Sequence, residues 1–212
     1  MEEGCDTCAT KLTGWSLSWA NAGVTCGPYT DGSERSLLID LAKEGVGFVE
    51  QAISIVEVNE VIMFTLSARV RVQELSVKGA SLNVACYDAS GNFLTNKDQG
   101  LFWYNWMQGT RPWERRTLKF ILPENTTQVK VGAIVKGTGK AWFDDFTVAF
   151  TPLAGRAPDE PALAYVGAAL DTIREHALYR DSVDLEALRA EALLIAGGDN
   201  DAGDRHLAAE YM

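Results

Sequence analysis

From residue 15 to residue 150 apolar and polar side chains alternate, and this period of two is the strongest signal in the chain. Phe64, Leu66, Ala68, Val70 and Val72 fall on one side of the run 64–72, with Thr65, Ser67, Arg69 and Arg71 on the other. Successive side chains of a strand point to opposite faces, so the run predicts a half-buried antiparallel strand. The runs 80–87, 118–122 and 129–133 alternate likewise, and further strands are expected at 15–19, 36–41, 48–56, 93–97 and 140–150. Turn chemistry separates them: Asp31-Gly32, Asp88-Ala89-Ser90-Gly91-Asn92, and Lys136-Gly137-Thr138-Gly139, the last expected as a hairpin turn. Roughly nine short strands without a helical stretch imply a sandwich of two antiparallel sheets.

Near residue 152 the period changes. The stretch 152–161 carries Pro152, Gly155, Pro158 and Pro161 and reads as a linker. A helix is expected to start near Asp159, with Glu160 and Pro161 in its first turn and an apolar stripe of Leu163, Val166, Leu170 and Ile173. A second has Asp184 as N-cap, Leu185, Leu188, Ala192 and Ile195 inside, and Gly197-Gly198 at its end. A third begins after Asp201. The expected division is a β-sandwich over 1–151, a linker over 152–161 and a helical segment over 162–212.

The 212 residues carry 19 Lys and Arg against 29 Asp and Glu, a formal charge of −10. Residues 1–151 hold 14 basic and 17 acidic side chains, and residues 152–212 hold 5 and 12. Neither part offers the basic stripe that a phosphate backbone or an anionic membrane surface would require, which argues against nucleic acid and membrane partners. No run approaches the length of a transmembrane helix, and the acidic start Met1-Glu2-Glu3-Gly4 has no signal-peptide character. Cys5, Cys8, Cys26 and Cys86 allow disulfides or buried thiols. The histidines, His176 and His206, lie too far from the Cys5–Cys8 pair for a zinc site. Cys86 alternates with Leu82 and Val84 and is expected in the core.

Nucleophilic chemistry finds no support. Both histidines sit in the helical tail, and no nucleophile elbow or phosphate loop occurs. The unusual stretch is Leu101-Phe102-Trp103-Tyr104-Asn105-Trp106, expected between strands. Trp103, Tyr104 and Trp106 could stack on sugar rings, with Asn105 and Gln108 hydrogen-bonding hydroxyls. Alternatively, the rings plug the end of the sandwich. Trp113, expected just before a strand, is read as core. Asp144-Asp145 in an apolar final strand must be paired, hydrogen-bonded or bound to a hard cation such as calcium.

Residues 2–150 resemble the jelly-roll carbohydrate-binding modules appended to many xylanases. The matching elements are Glu2-Glu3-Gly4, Gly14-Trp15, Gly32-Ser33, Ser36-Leu37-Leu38-Ile39, Gln51-Ala52-Ile53-Ser54-Ile55, Trp113 and Phe143-Asp144-Asp145-Phe146. The resemblance implies an all-β jelly-roll sandwich, with a short C-terminal α-helical segment after it. It also implies a structural calcium joining Glu2 and Asp144, and a natural chain that starts further upstream, where a signal peptide would lie. Residues 162–212 resemble the helical region that precedes the catalytic core of C-terminal processing (tail-specific) serine peptidases, through 168–191 with its Leu178-Tyr179-Arg180-Asp181 segment. That implies a Ser/Lys peptidase core beyond Met212, so no catalytic residue is assigned here. The expectation is a non-catalytic accessory module of an exported bacterial peptidase-like protein. It would be extracytoplasmic and would bind polysaccharide or glycan weakly by aromatic stacking. The alternative is a structural or protein-interaction sandwich without sugar affinity.

Overall fold

The computed structural model describes residues 15–20, 23–31, 34–55, 61–94, 106–153, 157–176 and 184–197. Six strands and two helices follow in order: β1 (Ser16–Ala20), β2 (Val24–Asp31), β3 (Glu34–Ser54), β4 (Ile62–Tyr87), β5 (Met107–Ile121), β6 (Gln128–Pro152), α1 (Glu160–His176) and α2 (Leu185–Ala196). The fold is an all-β jelly-roll sandwich with a short C-terminal α-helical segment. Strand order is β1-β3-β6-β4-β5, with β2 also pairing β3. Pro112 lies in β5, at the end of that order, where a missing N–H breaks no central ladder.

The strands are fewer and longer than the alternation predicts. The runs 64–72 and 80–87 belong to one strand of 26 residues, and 36–41 and 48–56 fall mostly in one of 21. The reason is a row of bends. β3 shifts register between Leu41 and Gly45, β4 has Glu74 at φ 52°, β5 has Gly109 at φ 75°, and β6 has Gly137 and Gly139 at φ 122° and 116°. The bends adjoin laterally. Leu41 pairs Gly139 and Gly45 pairs Gly137, Thr138 N–H donates to Ser76 Oγ at 3.1 Å, and Glu74 N–H donates to Thr110 Oγ1 at 3.0 Å. Each strand turns the corner between layers here without ending, as bulged strands do. Lys136–Gly139 is therefore a corner inside β6, not a hairpin turn. Glycine at 137 is required twice over, by its φ and because a Cβ would collide with the Ser76 carbonyl.

The alternation itself holds on both sides of the corner. Leu66, Ala68, Val70 and Val72 are buried, and so are Ala80, Leu82, Val84 and Cys86 further along β4. Other turns form as expected. Asp31 and Glu34 pair across 32–33, and Asp88 Oδ1 accepts from the N–H of Ser90 and of Asn92, both at 2.8 Å. These bonds, led by that from the Asn92 side chain, hold the Asp88 carboxyl below the usual range. Of the strand expected at 93–97, residues 95–97 lie outside the described residues, and Phe93 forms a bridge with Tyr87.

The chain divides into two compact units, one of residues 1–57, 65–118 and 123–148, the other of 58–64, 119–122 and 149–212. In the second, Met63 and Leu153 form a core with Ala162, Val166, Leu170, Ala192 and Ala196. Asp159 caps α1 by accepting from the Ala162 N–H at 2.8 Å, and Asp184 caps α2 by accepting from the Ala187 N–H at 3.0 Å. The buried stripe of α1 is Ala162, Val166 and Leu170, so the expected Leu163 is instead exposed. The third helix lies outside the described residues.

Gly137→Ala is expected to lower stability by about 2 kcal/mol or more, from left-handed strain plus overpacking. Gly91→Ala, with open space around it, should cost only about 1 kcal/mol. Urea unfolding midpoints of the two variants check this.

Candidate functional site

Beyond the corner, alternation sends one set of side chains outward from four adjacent strands. On β6, Val129, Val131, Ala133 and Val135 are buried, leaving Lys130, Gly132, Ile134 and Lys136 outward. The β3–β6 register sets Phe48 opposite Ile134, Glu50 opposite Gly132 and Ala52 opposite Lys130. On β4, Ser81, Asn83, Ala85 and Tyr87 alternate with the core, and on β5 Trp106 and Gln108 flank the buried Met107.

This outward face is partly shielded. Glu50 is 6% exposed, Ser81 7% and Ala85 9%. Small residues keep its floor low. A Cβ at Gly132 would collide with the Val49 carbonyl and press on the Phe48 ring. Three rings lie along this face: Phe48 on β3 against Gly132, Tyr87 at the end of β4 over Lys130, and Trp106, just before β5, beside Lys136 six positions further along β6. The polar groups are fixed among them. Lys130 Nζ lies 3.0 Å from Glu50 Oε1 and 5.0 Å from the Tyr87 ring centroid. Its hydrogen bond to Glu50 raises the lysine's pKa against the opposing effect of burial. Lys136 Nζ lies 5.8 Å from the Trp106 ring, and burial followed by repulsion from Lys78 lowers its pKa. Gln108 is exposed and donates through Nε2 to the Lys78 carbonyl at 3.3 Å.

Flat apolar rings beside a carboxylate, ammonium groups and amides can stack on the apolar side of a ligand ring and hydrogen-bond its hydroxyls. Neither histidine belongs to this unit.

Of the sequence-expected ligand residues, Trp106 and Gln108 lie on this face. Trp103, Tyr104 and Asn105 lie outside the described residues. Phe48, Glu50, Tyr87 and Lys130 were not singled out, since none belongs to a local motif. Glu50 and Lys130 are 80 residues apart in sequence and meet only through the register. Trp113 is not a core residue: it sits within β5, half-buried, with the Arg69 guanidinium 4.9 Å from its ring centroid. Asp144 Oδ1 accepts the Asp145 N–H at 2.9 Å, and Asp145, at φ 50°, pairs with Arg69 at 3.6 Å. Among the described residues no three His, Cys, Asp or Glu side chains stand together as a metal site, and Glu2 lies outside them. Cys26 and Cys86 are buried, and Cys5 and Cys8 lie outside the described residues.

Lys130→Met is expected to lower stability by about 1–3 kcal/mol, because it leaves the Glu50 carboxylate buried without its cation. A raised lysine pKa stabilises the fold fully below the ordinary value of 10.5, and the stabilisation is lost as pH climbs past it. The gap between variant and parent should therefore be constant near neutrality and narrow above that value, as read by urea unfolding across pH.

No protein-family model and no curated protein sequence matches the chain. Its backbone is similar to the enzymatically active domain of tailspike protein 4 of bacteriophage CBA120, at 14% identity and a TM-score of 0.51 over 65% of this chain. The match spans 19% of the tailspike's length. Weaker likenesses are to TmCBM61, solved with β-1,4-galactotriose (14% identity, TM-score 0.42, 66% of this chain and 90% of that one), and to the CBM22-1 xylan-binding domain of Paenibacillus barcinonensis Xyn10C (16%, 0.41, 70% and 89%). What the likeness to the tailspike domain shows is the fold alone.

Proposed function

We propose that the chain is a non-catalytic module that binds a saccharide on the face bordered by Phe48, Tyr87 and Trp106. The observation that carries this reading is one outward face on which Phe48, Tyr87 and the Glu50–Lys130 pair flank Gly132 and Trp106 lies further along beside Lys136. Rings supply apolar stacking surface, and the fixed polar groups supply direction. Trp103, Tyr104 and Asn105 extend the same site in this proposal. Each aromatic contact contributes about 0.5–1.5 kcal/mol beyond area burial, so a single short site binds in the high micromolar to millimolar range. The module serves an extracytoplasmic peptidase-like protein, whose catalytic core belongs to the longer parent chain. No helix among the described residues is long and apolar enough to cross a membrane.

A structural calcium held by Glu2 and Asp144 is part of the proposal. Asp144 has one oxygen engaged by the Asp145 N–H, leaving the other for a cation. The described residues supply only this one carboxylate of the proposed pair, and calcium takes about six to eight oxygens. Calcium should raise the melting temperature, EDTA should reverse the rise, and Asp144→Asn should abolish it. An unchanged melting curve removes calcium from the account.

For the saccharide, β-1,4-galactotriose and xylo-oligosaccharides are suitable probes. They are expected to shift tryptophan fluorescence, with Trp106→Ala weakening binding about two- to tenfold. Flat titrations across a glycan panel would favour the structural or protein-interaction alternative. The exposed Val61, Phe150, Leu163 and Tyr165 of the second unit are the observation behind that alternative.

A further inference from the structure

On the other side of the corner, the same strands present a different outward face. Ser67, Arg69 and Arg71 alternate outward on β4, Trp142 and Thr147 on β6, Trp113 and Arg115 on β5, and Tyr29 on β2. The Arg71 guanidinium lies 4.9 Å from the Trp142 ring centroid, and Tyr29 meets the same indole edge-on at 5.9 Å. Trp142 is 5% exposed, and its buried Nε1–H finds no hydrogen-bond partner among the described residues. Arg69 stacks on Trp113 and pairs with Asp145. Arg115 donates to Ser67 Oγ at 3.0 Å, and Ser67 shares a 2.8 Å bond with Thr147. Lys140 is neutralised by Asp40 at 3.0 Å. Among the described residues neither Arg71 nor Arg115 makes an ion pair. Three arginines therefore stand with Asp144 and Asp145 on a chain whose formal charge is −10.

We propose that this face is a second ligand site, for a carboxylate-bearing saccharide (an oligouronate). A guanidinium stacked on an indole is already oriented, and its planar fork matches a carboxylate with two parallel hydrogen bonds. The stacked rings leave Tyr29 37% exposed beside it, an apolar edge for the sugar ring. The overall negative charge opposes any long polyanion, nucleic acid and polyuronate alike, so the proposed ligand is short. A neutral sugar would give the Arg71 fork no carboxylate to match. The site stands apart from the saccharide face proposed above and does not depend on it.

The test is titration of the full chain with trigalacturonate, with neutral galactotriose of the same linkage and with a short oligothymidylate. Trigalacturonate should bind, the neutral sugar about tenfold more weakly or not at all, and the affinity should fall with added salt. Arg71→Lys keeps the charge but loses the fork, and should weaken trigalacturonate about tenfold with the melting temperature retained. If that variant is destabilised, the exposed Arg115→Gln takes its place, with a severalfold loss expected. Trp106→Ala should leave this binding unchanged while impairing the saccharide face. Equal binding of the neutral sugar to the Trp106→Ala chain, in which the saccharide face is impaired, parental affinity in the arginine variants, loss of trigalacturonate binding in Trp106→Ala, or tighter binding of oligothymidylate would each overturn the proposal.

Discussion

The structure depends on a row of bends that lets long strands change layer without breaking their ladders. A strand that stopped at the edge of one layer would expose unpaired N–H and C=O groups at every corner, each costly if shielded from water. Here Glu74, Gly109, Gly137 and Gly139 take positive φ, and the β3 register shifts at Leu41–Gly45. Because these bends lie side by side, hydrogen bonding passes through the corner from strand to strand. The Ser76–Thr138 hydroxyl pair, at 2.6 Å, closes the row between β4 and β6. One set of strands thereby builds two outward faces, and the bends fix which side chains belong to each.

The faces differ in how their cations are held. On one, Lys130 is tied to a nearly buried carboxylate, so its charge is satisfied within the protein. An ammonium is a compact, strongly hydrated charge, and burying part of it requires such a partner. On the other, Arg69 and Arg71 lie over indoles, each 4.9 Å from the ring centroid, where the weakly hydrated guanidinium is attracted by the ring face. The first arrangement sets a satisfied ion pair among rings. The second keeps positive charge in reserve.

The sandwich, both helix caps and the position of Cys86 were legible in the sequence because each rests on local chemistry. Alternation marks a strand wherever it occurs, and Asp159 and Asp184 stand where an N-cap oxygen meets free N–H groups. Strand length was not legible. Lys136-Gly137-Thr138-Gly139 has the composition of a hairpin turn, and only the neighbouring Ser76 and Glu74 carbonyls reveal it as a corner. Trp113 was misread for a similar reason. A strand that begins at Met107 instead of after Trp113 places its ring within the sheet, where Arg69 meets it. At the saccharide face, Trp106 and Gln108 could be found from the aromatic run. Glu50 and Lys130 could not, since what unites them is register. One signal was available: Gly132 interrupts the outward set of β6 exactly where a large side chain would fill the floor.

The second unit follows the same logic at closer range. Its helices bury Ala162, Ala192 and Ala196 together with Val166 and Leu170. Alanines at the contact let two helix backbones approach closely, which shifts the buried stripe of α1 toward its small residues and turns Leu163 outward. Hydrophobicity along the helix ranks Leu163 above Ala162, yet the geometry of close approach selects the smaller side chain. Short helices are marginal in isolation. Met63 and Leu153, contributed by the strand-end segments of this unit, complete the apolar surface against which the helices hold their form. The boundary between strand and helix in the sequence is thus not a boundary in the core, because Leu153 leaves β6 and is fully buried among helical side chains.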